Sequence, residues 1–312
     1  MPSSEPSPTF RILAIGECMA ELAPAEAPGE YRLGFAGDTF NTAWYIARLW
    51  PETSVSYFTA IGTDAISQQM RDVFSASGID HGHVRVVPDR TVGLYLISLA
   101  NGERSFSYWR GQSAARQLAA DPDALAKAIG DAELVYFSGI TLAILDPASR
   151  KTLLTALGTA RAMGKVIAFD PNLRPRLWSD QTEMTDAVMQ GAAVSDIALP
   201  SFEDEASWFG DADPVATADR YRSAGVTTVV VKNGAEPVHY RQGAARGFVP
   251  VPALPSVVDT TAAGDSFNAA ILAGIGGNTP LPESIARACR LAGQVVQGRG
   301  ALVPVDPARI DP

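Results

Sequence analysis

The chain has 312 residues, of which 46% are hydrophobic and 19% are charged, a balance typical of a folded globular protein with a large core. Its formal net charge of −9 argues against a nucleic-acid partner, because such a partner requires a basic face. No apolar run reaches the roughly 18 residues of a membrane span, so no membrane partner is expected. Two distant cysteines, Cys18 and Cys289, fit reduced structural thiols, and we expect a cytoplasmic protein.

Strands and helices are predicted to alternate along most of the chain. Residues 1–10 are polar and rich in proline, and we expect them to form a disordered tail. Beyond them, short apolar runs predict strands, and apolar residues at helical spacing predict helices. The strands are predicted at 11–16, 54–62, 134–138, 166–170, 197–199 and 227–232, and helices at 41–50, 148–163 and 268–276.

Strands this apolar, separated by amphipathic helices, indicate a mostly parallel sheet that is covered on both faces. The fold class predicted for residues 11–305 is therefore α/β with three layers. In such folds, ligands bind beyond the carboxyl ends of the strands.

Two segments without helices interrupt this alternation. Residues 19–38 are rich in Ala, Pro and Gly, and residues 92–110 are typical of a β-hairpin with Asn101 and Gly102 at its turn. Together they predict a small antiparallel sheet that stands off the main domain. Such a lid suits an enzyme that must exclude water, and its exposed sheet edge is a candidate surface for a homo-oligomer.

The strongest chemical signal is the segment 259–267 (DTTAAGDSF), which leads into a helix of small residues. The first backbone N–H groups of a helix lack partners within the helix, and with the helix dipole they form an anion site. The small residues Ala262, Ala263 and Gly264 let this backbone approach a phosphate closely. Asp265 could then take the proton of a hydroxyl that attacks the bound phosphoryl group. The alternative is that Asp265 only caps the helix.

This segment closely resembles the C-terminal signature of the PfkB carbohydrate kinases, Asp-Thr-x-Gly-Ala-Gly-Asp, with Ala262 in place of the first glycine. Residues 36–41 (AGDTFN) resemble the N-terminal signature of the family, Gly-Gly-x-x-x-Asn, in which Gly37 and Asn41 are kept. Gly37 permits backbone contact with a sugar, while Asp38 and Asn41 offer partners for sugar hydroxyls. Read alone, residues 36–41 are also compatible with a glycine turn in which Asn41 caps a helix. The resemblance covers residues 11–305 and implies a ribokinase-like fold that uses ATP and Mg²⁺.

Other matches to the family concern the nucleotide and the ions. Lys232 and Gly234 resemble a Lys-x-Gly turn that lies against the nucleotide, although the second glycine of that turn is absent here. Ser201 occupies the first position of the Asn-x-x-Glu motif that organises water around Mg²⁺, and Asp204 or Glu205 would serve at its end. The resemblance also implies a site for a monovalent cation, K⁺ or Na⁺, formed by Asp259, Thr261 and the backbone around 295–300.

Within the family, the segments 16–19, 108–110, 169–178 and 299–301 are most similar to the 2-keto-3-deoxygluconate kinases. The resemblance implies that Arg174 faces the substrate and that Tyr95, Tyr108 and Arg110 contact it from the lid. Independently, a sugar acid carries a carboxylate, and arginine offers two planar donors for one. The alternatives are that Arg174 is a surface charge, that the substrate is fructose, a related ketose or a nucleoside, or that the protein is a non-catalytic sensor.

Overall fold

The computed structural model describes residues 10–27, 29–100 and 103–311. The predicted tail, apart from Phe10, and the predicted turn at Asn101 and Gly102 lie outside the described residues. In chain order the strands are β1 (Phe10–Ile15), β2 (Met19–Pro24), β3 (Tyr31–Ala36), β4 (Thr53–Phe58), β5 (Ala60–Ile61), β6 (Arg85–Val86), β7 (Gly93–Ala100), β8 (Glu103–Trp109), β9 (Leu134–Ser138), β10 (Val166–Asp170), β11 (Ile197–Ala198), β12 (Thr228–Val231), β13 (Val238–Gln242) and β14 (Ala245–Val249).

The helices connect most of these strands. They are α1 (Asp38–Leu49), α2 (Ala65–Ala76), α3 (Pro122–Gly130), α4 (Gly139–Ile144), α5 (Pro147–Ala162), α6 (Gln181–Ala193), α7 (Phe202–Phe209), α8 (Pro214–Ser223), α9 (Ala263–Gly276) and α10 (Leu281–Val295), with short 3₁₀ turns at Ala114–Gln117, Pro175–Leu177 and Pro307–Arg309. No helix in the described part of the chain is long and apolar enough to cross a membrane.

The main sheet has eight strands in the order β14-β13-β12-β11-β10-β9-β1-β4. Its pairs are parallel from β4 to β12, and β13 and β14 add an antiparallel hairpin at one edge. Because side chains alternate along a strand, Ile12 packs in the core beside α1, α2, α9 and α10, and Leu13 packs in the core beside α3 to α8. The predicted three-layer α/β fold is therefore confirmed.

Parallel strands end at one edge of the sheet, and this edge positions the polar residues that follow them. Glu17 follows β1, Asp170 ends β10, Ser201 follows β11 and Lys232 follows β12. The first turn of α9 lies at the same edge, because Lys232 lies close to Gly264 there.

A second sheet of four strands, in the order β3-β2-β7-β8, forms the lid. Its outer pairs are antiparallel, as predicted, whereas the central pair β2–β7 is parallel. The parallel pair arises because the chain leaves the lid after β3 and passes through α1, β4 and α2 before it returns as β7. One face of the lid packs against the main domain through Met19, Ala36 and Ile97, which cluster with Ala301 and Ala262. At the base of the opposite face, Ala20 and Phe35 pack in the main core.

Candidate active site

Asp265 lies in the first turn of α9 and contacts the first turn of α1. The amide Nδ2 of Asn41 donates a hydrogen bond of 2.8 Å to Oδ2 of Asp265, which is 224 residues away in sequence. The hydroxyl of Thr42 donates to the backbone carbonyl of Asp265 at 3.0 Å. Ala262, not Asp265, is the N-cap of α9, and no side chain caps it. The structure therefore joins the two signature segments, and Asp265 does not occupy the N-cap position of α9.

The electrostatic surroundings of Asp265 are unusual for a carboxyl group. Burial and the negative charge of Asp38 raise the pKa of Asp265 to about 8, and Asp170 adds to this effect. The hydrogen bond from Asn41 and the charge of Lys232 act in the opposite direction. A carboxyl group with such a pKa can exchange a proton near neutral pH, as a general base must.

The turn before α9 carries one backbone constraint and one open position. Ala262 has a φ of +58°, a left-handed conformation that costs a residue with a Cβ free energy. Within the part of the chain that the structure describes, a Cβ at Gly264 would meet only Nζ of Lys232, at 3.6 Å, so packing there does not require glycine. The N–H of Ala263 donates to the carbonyl of Thr260 at 3.2 Å, so it closes the turn instead of belonging to the anion site predicted for residues 262–264.

Packing within the chain requires glycine at position 37, and the predicted contact of its backbone with a sugar stays a prediction. A Cβ at this position would lie 2.2 Å from the backbone oxygen of Glu17, so a side chain is excluded by the chain itself. The backbone N–H of Gly37 also donates to Oδ1 of Asn41 at 3.3 Å, which holds the amide that contacts Asp265. Gly37 therefore serves the packing at the start of α1 and the orientation of Asn41.

Lys232 belongs to a cluster of polar residues that the sequence patterns did not reveal. Its Nζ lies 3.3 Å from Oδ2 of Asp170 and 3.2 Å from Oδ1 of Asn268, and both partners are buried. Asn268 in turn donates to Asp170 at 2.7 Å and to the hydroxyl of Tyr136 at 3.1 Å. Two features of the sequence could have indicated this cluster: Asp170 ends a predicted strand, as does Lys232, and Asn268 lies one turn after Asp265 in an apolar helix.

Arg174 and Asp38 lie on the loop side of the same site. The amide of Asn172 donates to Oδ2 of Asp38 at 2.9 Å, which ties the loop after β10 to α1. Nη1 of Arg174 donates to the carbonyl of Leu173 at 2.7 Å and lies 3.9 Å from Oδ2 of Asp204. The side chain of Arg174 is 51% exposed, so its guanidinium is accessible to a ligand.

The lid residues contact two glutamates that were not among the predicted site residues. The hydroxyl of Tyr95 donates to the carboxylate of Glu21, and the rings of Tyr95 and Tyr108 lie 5.8 Å apart. Arg110 forms an ion pair with Glu17, whose side chain is almost fully buried. Arg110, which we expected to contact a substrate carboxylate, is therefore already paired with a carboxylate of the chain itself.

The start of α7 lies beside the strand end that carries Lys232. The backbone of Ser201 bridges that of Lys232, and the N–H of Phe202 donates to the carbonyl of Lys232 at 2.8 Å. Gly234 has a φ of +59°, so the turn after Lys232 needs a residue without a Cβ. These contacts place the predicted nucleotide-binding residues Ser201, Lys232 and Gly234 together.

Of the two acidic residues predicted for the magnesium position, only Asp204 keeps an accessible carboxylate. Glu205 is fully buried and accepts hydrogen bonds from Arg220 at 2.6 Å and from Tyr221 at 2.9 Å. Burial raises the pKa of Asp204, and the guanidinium of Arg174 counteracts that effect.

The predicted cation segment forms a compact loop. One carboxylate oxygen of Asp259 accepts from the N–H and the hydroxyl of Thr261, at 3.1 Å and 2.7 Å, and the other accepts from the N–H of Gly300 at 2.6 Å. Asp259, Thr261 and the end of the 295–300 segment are therefore neighbours, as expected.

Fold and site together define a phosphotransferase of the carbohydrate kinase class. The chain belongs to the pfkB family of carbohydrate kinases, whose family model matches residues 9–308. The predicted family and fold are thus confirmed.

The chain is also similar to individual proteins over nearly its whole length. The 2-dehydro-3-deoxygluconokinase of Dickeya dadantii (strain 3937) is 40% identical over 306 residues, which cover 96% of this chain and 98% of that protein. The 2-dehydro-3-deoxygluconokinase of Escherichia coli (strain K12) is 40% identical over 303 residues, 94% of this chain and 97% of that protein. Among solved structures, the PfkB protein from Polaromonas sp. JS666 has a TM-score of 0.81 and 29% identity, over 93% of this chain and 96% of that chain.

Proposed function

We propose that the chain transfers the γ-phosphoryl group of ATP to the primary hydroxyl of 2-keto-3-deoxygluconate, which gives the 6-phosphate and ADP. The observation that carries this proposal is the hydrogen bond from Asn41 to Asp265 beside the turn that begins α9. The relatives named 2-dehydro-3-deoxygluconokinase support the choice of sugar, because they match at 40% identity over almost the whole chain.

In the proposed reaction, Asp265 is the general base. The hydroxyl oxygen of the sugar bonds to the γ-phosphorus while the bond from that phosphorus to the β–γ bridging oxygen breaks. The hydroxyl proton passes to the carboxylate of Asp265, a contribution that typically amounts to about 10²- to 10⁴-fold in rate. The backbone at Gly264 and the dipole of α9 stabilise the charge on the phosphoryl oxygens.

A magnesium ion fits this site as an ion held mostly by phosphate oxygens and water. Residues 10–27, 29–100 and 103–311 contain no group of three or more His, Cys, Asp or Glu side chains that could hold a metal. Magnesium is commonly bound through one or two carboxylates together with substrate phosphates, and Asp204 is the accessible carboxylate here. The ion supplies charge neutralisation on the phosphates. The monovalent cation near Asp259 and Thr261 stays a prediction, as does the cytoplasmic location.

Recognition of the sugar carboxylate is assigned to Arg174, with Arg110 as a second contact. Arg174 is the more accessible of the two, because the side chain of Arg110 is 11% exposed and is paired with Glu17. Tyr108, with half of its side chain exposed, lines the lid beside Tyr95. Asp38 and Asn41, at the start of α1, are assigned to the sugar hydroxyls.

The experiment that tests this function is a coupled ADP-release assay over 2-keto-3-deoxygluconate, its galactonate epimer, fructose and ribose. We expect the highest kcat/KM for a sugar acid. Faster turnover of fructose or ribose would favour another kinase of the family. Binding of sugar and ATP without turnover would favour a sensor on the same fold.

The proposal includes a homodimer through the outer face of the lid, which carries the exposed side chains of Tyr31, Leu33 and Trp109. Their register places them on the face opposite Tyr95 and Tyr108, with Tyr31 and Leu33 on one edge strand and Trp109 on the other. Exposed apolar side chains that share one face are a candidate contact surface. Light scattering should give a dimer that Trp109→Glu converts to a monomer. Met163→Glu, an exposed position outside the lid, should leave the dimer intact. A monomeric parent protein would contradict the proposal.

A further inference from the structure

We infer that Lys232 is a catalytic residue whose ammonium group contacts the phosphoryl group in transfer, and that Asp170 and Asn268 are positioning residues that hold this ammonium at the first turn of α9. The inference rests on the proposed function and extends it. It assigns the side chain of Lys232 to the reacting group and not only to the nucleotide in general.

The first argument is the direction of the ammonium group. An ammonium has three donors, and two of them are used by Oδ2 of Asp170 at 3.3 Å and Oδ1 of Asn268 at 3.2 Å. The same Nζ lies 3.6 Å from the point where a Cβ of Gly264 would be. The group therefore borders the backbone at which the anion site forms, and among the described residues only those two oxygens accept from it, which leaves one donor for an anion.

The second argument is the charge balance of the site. Asp265 has two acidic neighbours, Asp38 and Asp170, whose negative charges raise its pKa. The positive charge of Lys232 lowers the pKa of Asp265. A phosphoryl group that enters among three carboxyl groups meets repulsion unless a cation lies beside it. Lys232 is a cation within this set, because it is ion-paired with Asp170 and lies beside Gly264.

The third argument is the way in which Asn268 is fixed. Its Nδ2 donates to Asp170 and to the hydroxyl of Tyr136, so its carbonyl oxygen is turned toward Lys232. Lys232 gives the buried carboxylate of Asp170 its countercharge and the carbonyl oxygen of Asn268 a donor, so these two residues hold the ammonium at one position. A charge fixed in this way is preorganised to stabilise a phosphoryl group in transfer.

The test compares Lys232→Met, Lys232→Arg and Asp170→Asn with the matched control Lys165→Met. Lys165 also places its ammonium on protein oxygens, the carbonyls of Gly130 and Ala132, but at the opposite end of β10. We expect Lys232→Met to lower kcat by about 10²- to 10³-fold, the loss typical of one charge-stabilising donor, while KM for the sugar acid stays within about threefold. Asp170→Asn should also lower kcat. Lys232→Arg should retain more activity than Lys232→Met. Lys165→Met should keep the parent kcat.

A second readout is independent of turnover. Calorimetry without sugar should show that Lys232→Met weakens the binding of ATP by about 10- to 150-fold, the range for a lost charged hydrogen bond. The binding of ADP should weaken much less. If Lys232→Met does not fold, as its melting temperature will tell, Lys232→Gln carries the same expectation. A kcat within threefold of the parent, or equal losses for ATP and ADP, would overturn the inference. A parent enzyme that is inactive on sugar acids would instead refute the proposed substrate, and the ATP–ADP comparison would still decide the role of Lys232.

Discussion

Nδ2 of Asn41 and Oδ2 of Asp265 lie 2.8 Å apart, and this hydrogen bond links the first turn of α1 to the first turn of α9. The amide donates, so it stabilises the ionised form of the carboxyl group against the burial that disfavours it. Asn41 is itself held by the N–H of Gly37. The orientation of the proposed base therefore depends on a residue at the other end of the chain.

Replacement of Asp265 by Asn should preserve the fold and ATP binding, because the two side chains are nearly isosteric. It should lower kcat by at least about 10²-fold, the lower end for the loss of a general base. Steady-state kinetics with a nucleotide-binding measurement on the same variant checks this expectation. If kcat survives within a few-fold, Asp265 is not the base.

The raised pKa of Asp265 predicts two opposite dependences on pH. As pH rises through about 8, the fraction of ionised base rises, so kcat/KM should increase along an acid limb centred near that value. Stability should change in the other direction. Because the folded-state pKa lies above the unfolded value of 3.8, the folded protein binds the proton more tightly, and its free energy of unfolding falls as pH rises from about 4 to about 8.

Asp265→Asn should remove that second dependence. Its melting temperature should exceed that of the parent at pH 8 by about 2 °C or more, and the difference should disappear near pH 4. A variant that melts below the parent at pH 8 would show that the carboxylate stabilises the fold.

Arg174→Ala tests the recognition of the sugar carboxylate. Loss of a charged hydrogen bond should lower kcat/KM for the sugar acid by about 10- to 150-fold, mainly through KM. Activity on a neutral ketose should fall much less, because that substrate has no carboxylate. Arg176→Ala, at an exposed position in the same loop, is the control. Equal losses of kcat/KM on acid and neutral sugars would contradict the assignment of a sugar acid as substrate. The assignment to the carbohydrate kinases would stand.

Two glycines in the site should respond to alanine in different ways. Gly264→Ala has room in the protein, so its melting temperature should stay close to that of the parent, while kcat should fall because the Cβ keeps a phosphate away from the backbone. Gly37→Ala should melt at a lower temperature, because its Cβ would lie 2.2 Å from the carbonyl oxygen of Glu17. Thermal melts and kinetics of both variants decide this. A stable Gly37→Ala protein with full activity would show that the contact with Glu17 does not require glycine at position 37.

Ala262→Gly should stabilise the protein by up to about 1 kcal/mol. The left-handed backbone at this position costs about 1–2 kcal/mol for a residue with a Cβ, and the greater freedom of glycine in the unfolded chain offsets part of the gain. Denaturant unfolding with an unchanged m-value checks the prediction. Ala263→Gly, one residue further into α9, has no such strain to relieve and should destabilise by about 0.5–1 kcal/mol.

The sequence predicted the parts of the fold and site that depend on local patterns. The strands Leu134–Ser138 and Val166–Asp170 have the predicted bounds, because each is a short apolar run between polar residues. Asp265 and Asn41 were named because their signatures are local. The parallel pairing of β2 with β7 was not predicted, because it depends on the path of the chain through α1, β4 and α2.

The contacts that were missed involve residues whose partners are distant in sequence. Glu17 and Arg110 are 93 residues apart, and Asp170 and Asn268 are 98 apart. No spacing in the chain reveals such a pair, and only the common edge of the sheet brings its members together. Arg110 was therefore predicted to contact only the substrate, while the structure pairs it with a buried carboxylate.

The apolar contact of Met19, Ala36 and Ile97 with Ala262 and Ala301 has a consequence for the exchange of parts between relatives. A chimera that receives only the lid strands from another kinase would press foreign side chains against the turn that begins α9 and against the loop at Ala301. Such a graft should disturb catalysis even if every sugar contact is conserved. Lid strands, turn and loop therefore form a single module, and specificity is transplanted intact only when all three are moved together.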